Sequence, residues 1–260
     1  MKITFLGTGT STGTPLIGCD CEVCQSSNPK DHRLRSSAFV QVDGLNILID
    51  IGPDFRQQML RAKVKRIDAV LITHEHNDHI IGLDEIRAFN FLQKSSIPIY
   101  AAGRVLKEVK QRFHYLFREE LYPGAPRVDV HQIDKDVPFY LQNLKITPIE
   151  YLHGRLPVLG FRIHDFAYLT DFKSITAIEF QKLKGIKTLV LSALQRRSHH
   201  SHLTLEEALA MAEKIGAKQT FFIHMGHRMG LHEEVQAILP NGVQLAYDGL
   251  VLESRDLLVK

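Results

Sequence analysis

"LITHEHNDHIIG", residues 71–82, is the stretch on which the fold turns. The apolar run "AVLIT" (69–73) reads as a buried strand, and it delivers the chain straight into an H-x-H-x-D-H pattern. On extended backbone alternate side chains share a face, so His74 and His76 can point the same way. Asp78 and His79 then turn into a loop and offer a carboxylate and an imidazole to a second position. Three histidines and one aspartate within six residues are the donor types of a divalent-metal site. A solvated loop has no use for that concentration directly behind an apolar strand.

Histidine is unusual along the whole chain. There are 14 in 260 residues, bunched in "THEHNDH" (73–79), "RRSHHSH" (196–202) and "IHMGH" (223–227). Imidazole is the commonest metal ligand and the usual acid or base near neutral pH. The remainder is ordinary for a globular chain, 44% hydrophobic and 23% charged. A net charge of +3 gives no chain-wide field for a polyanion, although "RAKVKR" (61–66) and "QRRSHH" (195–200) leave a nucleic-acid partner open. No apolar run approaches the roughly 18 residues of a spanning helix, and the Gly-rich "MKITFLGTGT" does not read as a signal peptide. No membrane association is expected. The only cysteines, Cys19, Cys21 and Cys24, stand in C-x-C-x-x-C spacing. An odd count in that spacing argues for metal rather than disulfides, hence a reducing compartment, with the cytoplasm as the expectation.

The coarse pattern starts with strands: "KITFL" (2–6), then "SAFVQV" (37–42) and "NILID" (46–50) as a hairpin around "DGL". "DFRQQMLRA" (54–62), "GLDEIRAFNFLQ" (82–93) and "GRVLKEVKQRFHYLF" (103–117) read as helices, with "IPIYA" (97–101) a strand. Strand-like runs follow at "VPFYL", "LKITPIE", "VLGFRI" and "FAYLT" (137–170). Then "TLVLS" (188–192), "QTFFI" (219–223) and "VQLAY" (243–247) alternate with helices at 204–216 and 231–239. Hairpins first and alternation later give an α/β protein with two sheets, taken as one domain over 1–260. The loop "GTGTSTGTP" (7–15) fits no phosphate-loop pattern and reads as a Gly-rich bend.

H-x-H-x-D-H after a strand resembles the signature of the metallo-β-lactamase superfamily. That resemblance implies a four-layer αββα sandwich holding two metals at one edge. It further implies His153, Asp171 and His224 as the remaining ligands, since each stands at a strand end in the family's order. One metal would take His74, His76 and His153, the other Asp78, His79 and His224, with Asp171 bridging. Taken alone, His153 reads as a packing residue and Asp171 as a helix N-cap before "DFKSI" (171–175). An aspartate bridge points to the dinuclear phosphodiesterases of the superfamily. There two ions roughly 3.5–4 Å apart supply a bridging hydroxide and clamp the phosphoryl oxygens. Zn, Mn, Fe and Ni all suit such N/O donors.

Within the superfamily the chain is most similar to the phosphoribosyl cyclic phosphodiesterases of phosphonate catabolism, through "GLDEIR" with Arg87 and through Cys19, Cys21 and Cys24. That likeness implies a structural zinc completed by His227, three residues after His224. The related transfer-RNA 3′ endonucleases are the alternative; they carry a long basic arm, of which "LYPGAPRVD" (121–129) shows no clear counterpart. In "SHHSHLTLEEAL" a capping box at "TLEE" (204–207) is expected. The proton donor to the leaving oxygen is His200 in one register and His202 in the other. The expected substrate is a small, cyclic phosphodiester on ribose or a nucleotide, with Arg87 helping to stabilise developing charge; a homodimer is left open.

Overall fold

The computed structural model describes residues 1–120 and 122–253, so Leu121 of the Pro/Gly excursion lies outside the described residues. The first sheet is built from β1 (Lys2–Gly7), β2 (Ser37–Val42), β3 (Leu45–Ile49), β4 (Ala69–Leu71), β5 (Ile97–Ala102) and β6 (Val128–Ile133). The second takes β7 (Phe139–Leu141), β8 (Leu144–His153), β9 (Leu156–Ile163), β10 (Phe166–Leu169), β11 (Thr188–Ser192), β12 (Gln219–Ile223) and β13 (Val243–Leu245). The last strand, β14 (Val251–Glu253), returns to the first sheet, giving the seven-stranded orders β14-β1-β2-β3-β4-β5-β6 and β13-β12-β11-β10-β9-β8-β7. Each sheet is part antiparallel meander and part parallel: β3 to β6 run parallel in one, and β10 to β13 in the other.

Strand periodicity explains the layering. In β4, Ala69 and Leu71 face the other sheet, while Val70 and the following Ile72 face outward. Likewise Phe166 and Tyr168 of β10 face inward and Ala167 and Leu169 outward. Both faces are apolar because both are covered. Phe5, Ile47, Ile49 and Leu71 meet Ile146, Phe161, Tyr168 and Phe221 between the sheets. Outside the first sheet lie α1 (Phe55–Ala62), α2 (Asn77–Ile80), α3 (Arg87–Gln93) and α4 (Gly103–Arg112). Phe55, Met59, Phe89, Val105 and Val109 from α1, α3 and α4 fill its outer core. Outside the second sheet lie α5 (Ala177–Gln181), α6 (Leu205–Ile215) and α7 (His232–Ala237), which contribute Leu205, Ala208, Ala212 and Val235. The result is the expected αββα sandwich.

Several local expectations are refined. The capping box is present: Thr204 accepts from Glu207 N, and Glu207 returns the bond. The helix expected over 82–93 is a 3₁₀ turn (Ile81–Ile86) running into α3. No helix starts at Asp171; Thr176 is the N-cap, and it caps α5. Among the described residues no helix is long and apolar enough to cross a membrane.

Candidate metal centre

The site forms where strands from both sheets end. Asp50 follows β3, His74 lies three residues past β4, His153 closes β8, Thr170 and Asp171 follow β10, and His224 follows β12. Asp50, Asp171 and His224 all sit in the left-handed region, at φ 61°, 53° and 59°. Two glycines let the H-x-H-x-D-H loop close against the exit of β3. A Cβ on Gly52 would meet Asp78 O at 2.1 Å, and one on Gly82 would meet Gly52 O at 2.1 Å. Only glycine permits backbone to approach backbone that closely.

Asp171 is the hub. Its carboxylate lies 3.2 Å from His79 Nε2 and 3.2 Å from His224 Nε2. It is 3.9 Å from His153 Nε2 and 3.8 Å from His202 Nδ1. Asp78 Oδ2 lies 3.2 Å from His79 Nε2 and 3.6 Å from His224 Nε2. On the other side His74 Nε2 faces His76 Nδ1 at 3.0 Å. The His153 ring centre is 5.3 Å from that of His76 and 5.9 Å from that of His74. Most of this group is buried, and His76 alone of the H-x-H pair is exposed.

Hydrogen bonds behind the rings choose which nitrogens face inward. His79 Nδ1 donates to Asp50 Oδ2 at 2.7 Å, and His153 Nδ1 donates to Ser201 O at 2.9 Å. Thr73 Oγ1 donates to Asp50 Oδ2 at 2.9 Å and so accepts from His74 Nδ1 at 3.0 Å. His79 and His153 are left with Nε2 toward the Asp171 carboxylate and His74 with Nε2 toward His76, the arrangement in which outer partners orient metal-binding imidazoles.

Charge follows. Burial pushes Asp78 and Asp171 up, but His79 and His224 outweigh it and hold both carboxyls below the usual range. Burial pulls His74 well down. It does the same to His202, reinforced by His224 and opposed by Asp171, which brings that ring to about 2. His79 is held up, against burial, by Asp78, Asp50 and Asp171.

A metal-binding reading can be tested on these atoms. Buried His79 Nε2, His202 Nδ1 and His224 Nε2 have no hydrogen-bond partner among the described residues. Unpartnered buried nitrogens are costly and call for an explanation. Here they converge with carboxylates in the overlapping groups His74–His79–Asp171, Asp78–His79–His224 and His153–Asp171–His202. Cations fit that donor set, and the overlap of the three groups at His79 and Asp171 is consistent with a dinuclear centre.

A second cluster lies beside it. Cys19, Cys21 and Cys24 Sγ stand 3.3, 3.3 and 3.6 Å from His227 Nδ1. The backbone N–H of Cys24 holds the Cys21 thiol down to about 6, while burial pushes Cys24 up to about 11. Three thiols and one imidazole have the composition of a closed structural metal site.

The two registers of "SHHSH" part company. His202 is buried beside Asp171, its ring 4.3 Å from that of His153 and 5.0 Å from that of His224. His200 is exposed, its ring centre 4.5 Å from that of His199 and tilted by 31°, and it forms no ion pair with Asp171. Arg87, expected near the reacting group, pairs with Asp84 at 3.7 Å and makes no ion pair with Asp78 or Asp171. Asp50 was not singled out in the sequence. Its signal was available: an aspartate closing the apolar run "NILID", as Asp171 follows "FAYLT".

Two stacked sheets thus carry at one edge a His/Asp cluster whose donors suit divalent metals. A family model described as "Beta-lactamase superfamily domain" matches residues 45–225. A crystal structure of a new diphosphatase from the PhnP family is 42% identical, covers 97% of each chain and superposes with a TM-score of 0.90. The short form of human tRNase Z is 21% identical over 97% of this chain and 99% of its own, with a TM-score of 0.72, a likeness of fold alone. The octanoyltransferase of Porphyromonas gingivalis is 41% identical over 264 residues, which is 100% of this chain and 53% of that protein. The chain spans about half the length of the curated relatives it matches. The chain belongs to the metallo-β-lactamase superfamily and, within it, to the PhnP family.

Proposed function

We propose that the chain hydrolyses P–O bonds in small phosphate compounds, namely cyclic ribose or nucleotide phosphodiesters and, as a second class, the P–O–P bond of diphosphates. The observation that carries this is the set of buried, unpartnered imidazole nitrogens facing the Asp78 and Asp171 carboxylates. In this reading His74, His76 and His153 hold one divalent ion; Asp78, His79 and His224 hold the second, and Asp171 serves both. Zn and Mn are the leading ions, Fe and Ni the others, with a separate zinc on Cys19, Cys21, Cys24 and His227. Two bound ions would supply Lewis acidity to the phosphoryl oxygens and a water acidic enough to ionise near neutral pH.

The chain's own residues do the rest. Asp50 and Thr73 hold the His79 and His74 rings, and Ser201 O holds His153. His202, buried beside Asp171, is the candidate donor of a proton to the leaving oxygen. An anionic phosphoester alongside would favour its protonated form. The similarity to a diphosphatase over 97% of both chains supports P–O–P hydrolysis. Octanoyl transfer is a property of a longer protein, of which this chain matches 53%.

The test is a side-by-side assay with Zn, Mn, Fe and Ni. The substrates are bis(p-nitrophenyl) phosphate, cyclic ribose phosphates, 2′,3′-cyclic nucleotides, diphosphate diesters and precursor transfer RNA. Turnover of the small esters is expected. No turnover above buffer with any metal would sink the proposal, and cleavage of the RNA alone would replace it with a nuclease.

A further inference from the structure

Glu75 stands between His74 and His76, and its side chain is only 16% exposed. On the extended segment its side chain takes the face opposite the two rings. There it is engaged by Arg104 at the head of α4, whose Nη1 donates to both carboxylate oxygens. The other terminal nitrogen, Nη2, donates to Pro157 O. Pro157 belongs to β9 and pairs with Leu152, one step from the pair of Leu156 with His153. A single guanidinium therefore joins the H-x-H segment, which hangs from the first sheet, to the hairpin that carries His153 in the second.

Arg112, eight residues along the same helix, seconds it. Its Nη1 donates to Glu75 O at 2.8 Å and to Asn77 Oδ1 at 2.6 Å, and its Nη2 to Glu108 at 3.3 Å. Strands β4 and β8 lie in different sheets and share no ladder. A backbone bond from Leu159 N to Thr73 O, 3.1 Å long, joins the two segments below the rings. Arg104 joins them a second time, through Glu75 and Pro157, and Arg112 braces the H-x-H side alone.

We infer that Arg104, supported by Arg112, is a positioning residue that sets His76 against His153 by tying Glu75 to the Pro157 carbonyl. It thereby fixes the affinity of the His74–His76–His153 position. This rests on the ligand assignment in the proposed function. The planar fork is essential to it: Arg can hold a carboxylate and a carbonyl at once, whereas Lys is a single point of charge.

The experiment compares wild type, Arg104→Met, Arg104→Lys, Glu75→Gln and the Glu75→Gln/Arg104→Met double variant. Metal per chain and chelator-competition affinity are measured with Zn. Cobalt spectra separate the thiolate site from the N/O site, and circular dichroism and metal-free melting report the fold. Arg104→Met should weaken one N/O ion by about 10–100-fold, with the thiolate ion retained. Arg104→Lys should recover part of that loss. The double variant should lose less than the product of the two single losses, because both act through one contact. Unchanged affinity in Arg104→Met and Glu75→Gln overturns the inference, and so do fully multiplicative losses. If Arg104→Met does not fold, Glu75→Gln, which keeps size and shape, decides alone. A wild-type chain that takes up no ion beyond the thiolate site overturns the ligand assignment together with this inference.

Discussion

Asp50 offers the most direct perturbation, because it touches no reacting group in the proposed chemistry and yet three buried donors end on it. Oδ1 accepts from Thr73 N at 2.8 Å, and Oδ2 accepts from Thr73 Oγ1 at 2.9 Å and His79 Nδ1 at 2.7 Å. Asp50→Asn keeps the shape but turns one oxygen into a donor. If the new amide nitrogen takes the Oδ2 place, Thr73 can rotate its hydroxyl and accept, but the His79 N–H is stranded. If it takes the Oδ1 place, the Thr73 backbone N–H is stranded. Either way one buried donor loses its partner, which costs about 1–3 kcal/mol. When His79 is the one released, that figure corresponds to about 5–150-fold in ion affinity. It overlaps the 10–100-fold typical of partners that orient metal-bound imidazoles. Chelator competition with Zn on wild type and Asp50→Asn reads the number directly, and single-turnover hydrolysis shows whether the loss is in binding or in rate. A variant that binds both ions as tightly as wild type would refute the claim that Asp50 orients His79.

Three further outcomes are expected. His202→Ala should lower kcat by about 10²–10⁴-fold at unchanged metal content, while His200→Ala should leave kcat nearly untouched; equal losses would place the donor elsewhere. Gly52→Ala should displace the backbone at Asp78 and abolish the ion held there, seen as reduced metal per chain; full occupancy would show that the loop can give way. His232 supplies the pH test. Burial, then Arg33 and Lys30, lower its pKa to about 4 against the ordinary 6.5, with Glu233 and Asp31 pulling the other way. Above 6.5 the ring is neutral in both states, and as pH falls the unfolded chain takes the proton first. Stability should therefore drop between about pH 6.5 and 4, by up to about 3 kcal/mol, and level off below. Urea melts of wild type and His232→Gln across that window test it, and parallel pH profiles would refute it.

What the sequence disclosed follows from what a one-dimensional pattern can carry. Apolar strands ending in His or Asp were legible at His74, Asp171 and His224, since burial of the strand and polarity of its end are local properties. Asp50 carries the same local mark, but its role depends on β3 lying parallel to β4, with Ile49 opposite Leu71. That pairing brings it beside His79, and periodicity says nothing of pairing. The choice between His200 and His202 was equally non-local. Leu203 N bonds to Phe172 O at 3.2 Å and Leu194 N to Leu203 O at 3.0 Å, with the Leu203 side chain in the core. Those bonds set His202 beside Asp171. Strand β6, "VDVHQI", was unread because its polar residues suit an edge, and β14 is only three residues long. The first four arginines after the H-x-H-x-D-H loop, Arg87, Arg104, Arg112 and Arg118, look alike in sequence. Arg87 was singled out by resemblance, but Arg104 and Arg112 are the ones that reach the loop.

The left-handed corners connect the two clusters. A residue directly after a strand that continued extended would lie in the face of the sheet. A left-handed turn bends the chain at the strand end and leaves the side chain standing at the rim, where strands of both sheets converge. For residues other than glycine that turn costs on the order of 1–3 kcal/mol. Asparagine and aspartate tolerate it best, so Asp50 and Asp171 are the easier cases and His224 the harder one. Glycine would relieve the corner at 224 and remove the imidazole, so the surrounding structure has to hold it. It is held on one side by the first loop, through Met225 N to Thr8 O at 3.0 Å and Thr10 N to Met225 O at 3.1 Å. Two residues further on, His227 meets the three cysteines of that same loop. A metal ion on the cysteine cluster would thus close a ring of contacts around His224 without entering the chemistry. In this reading the Gly-rich loop and the thiols that follow it stabilise one strained corner of the candidate metal centre.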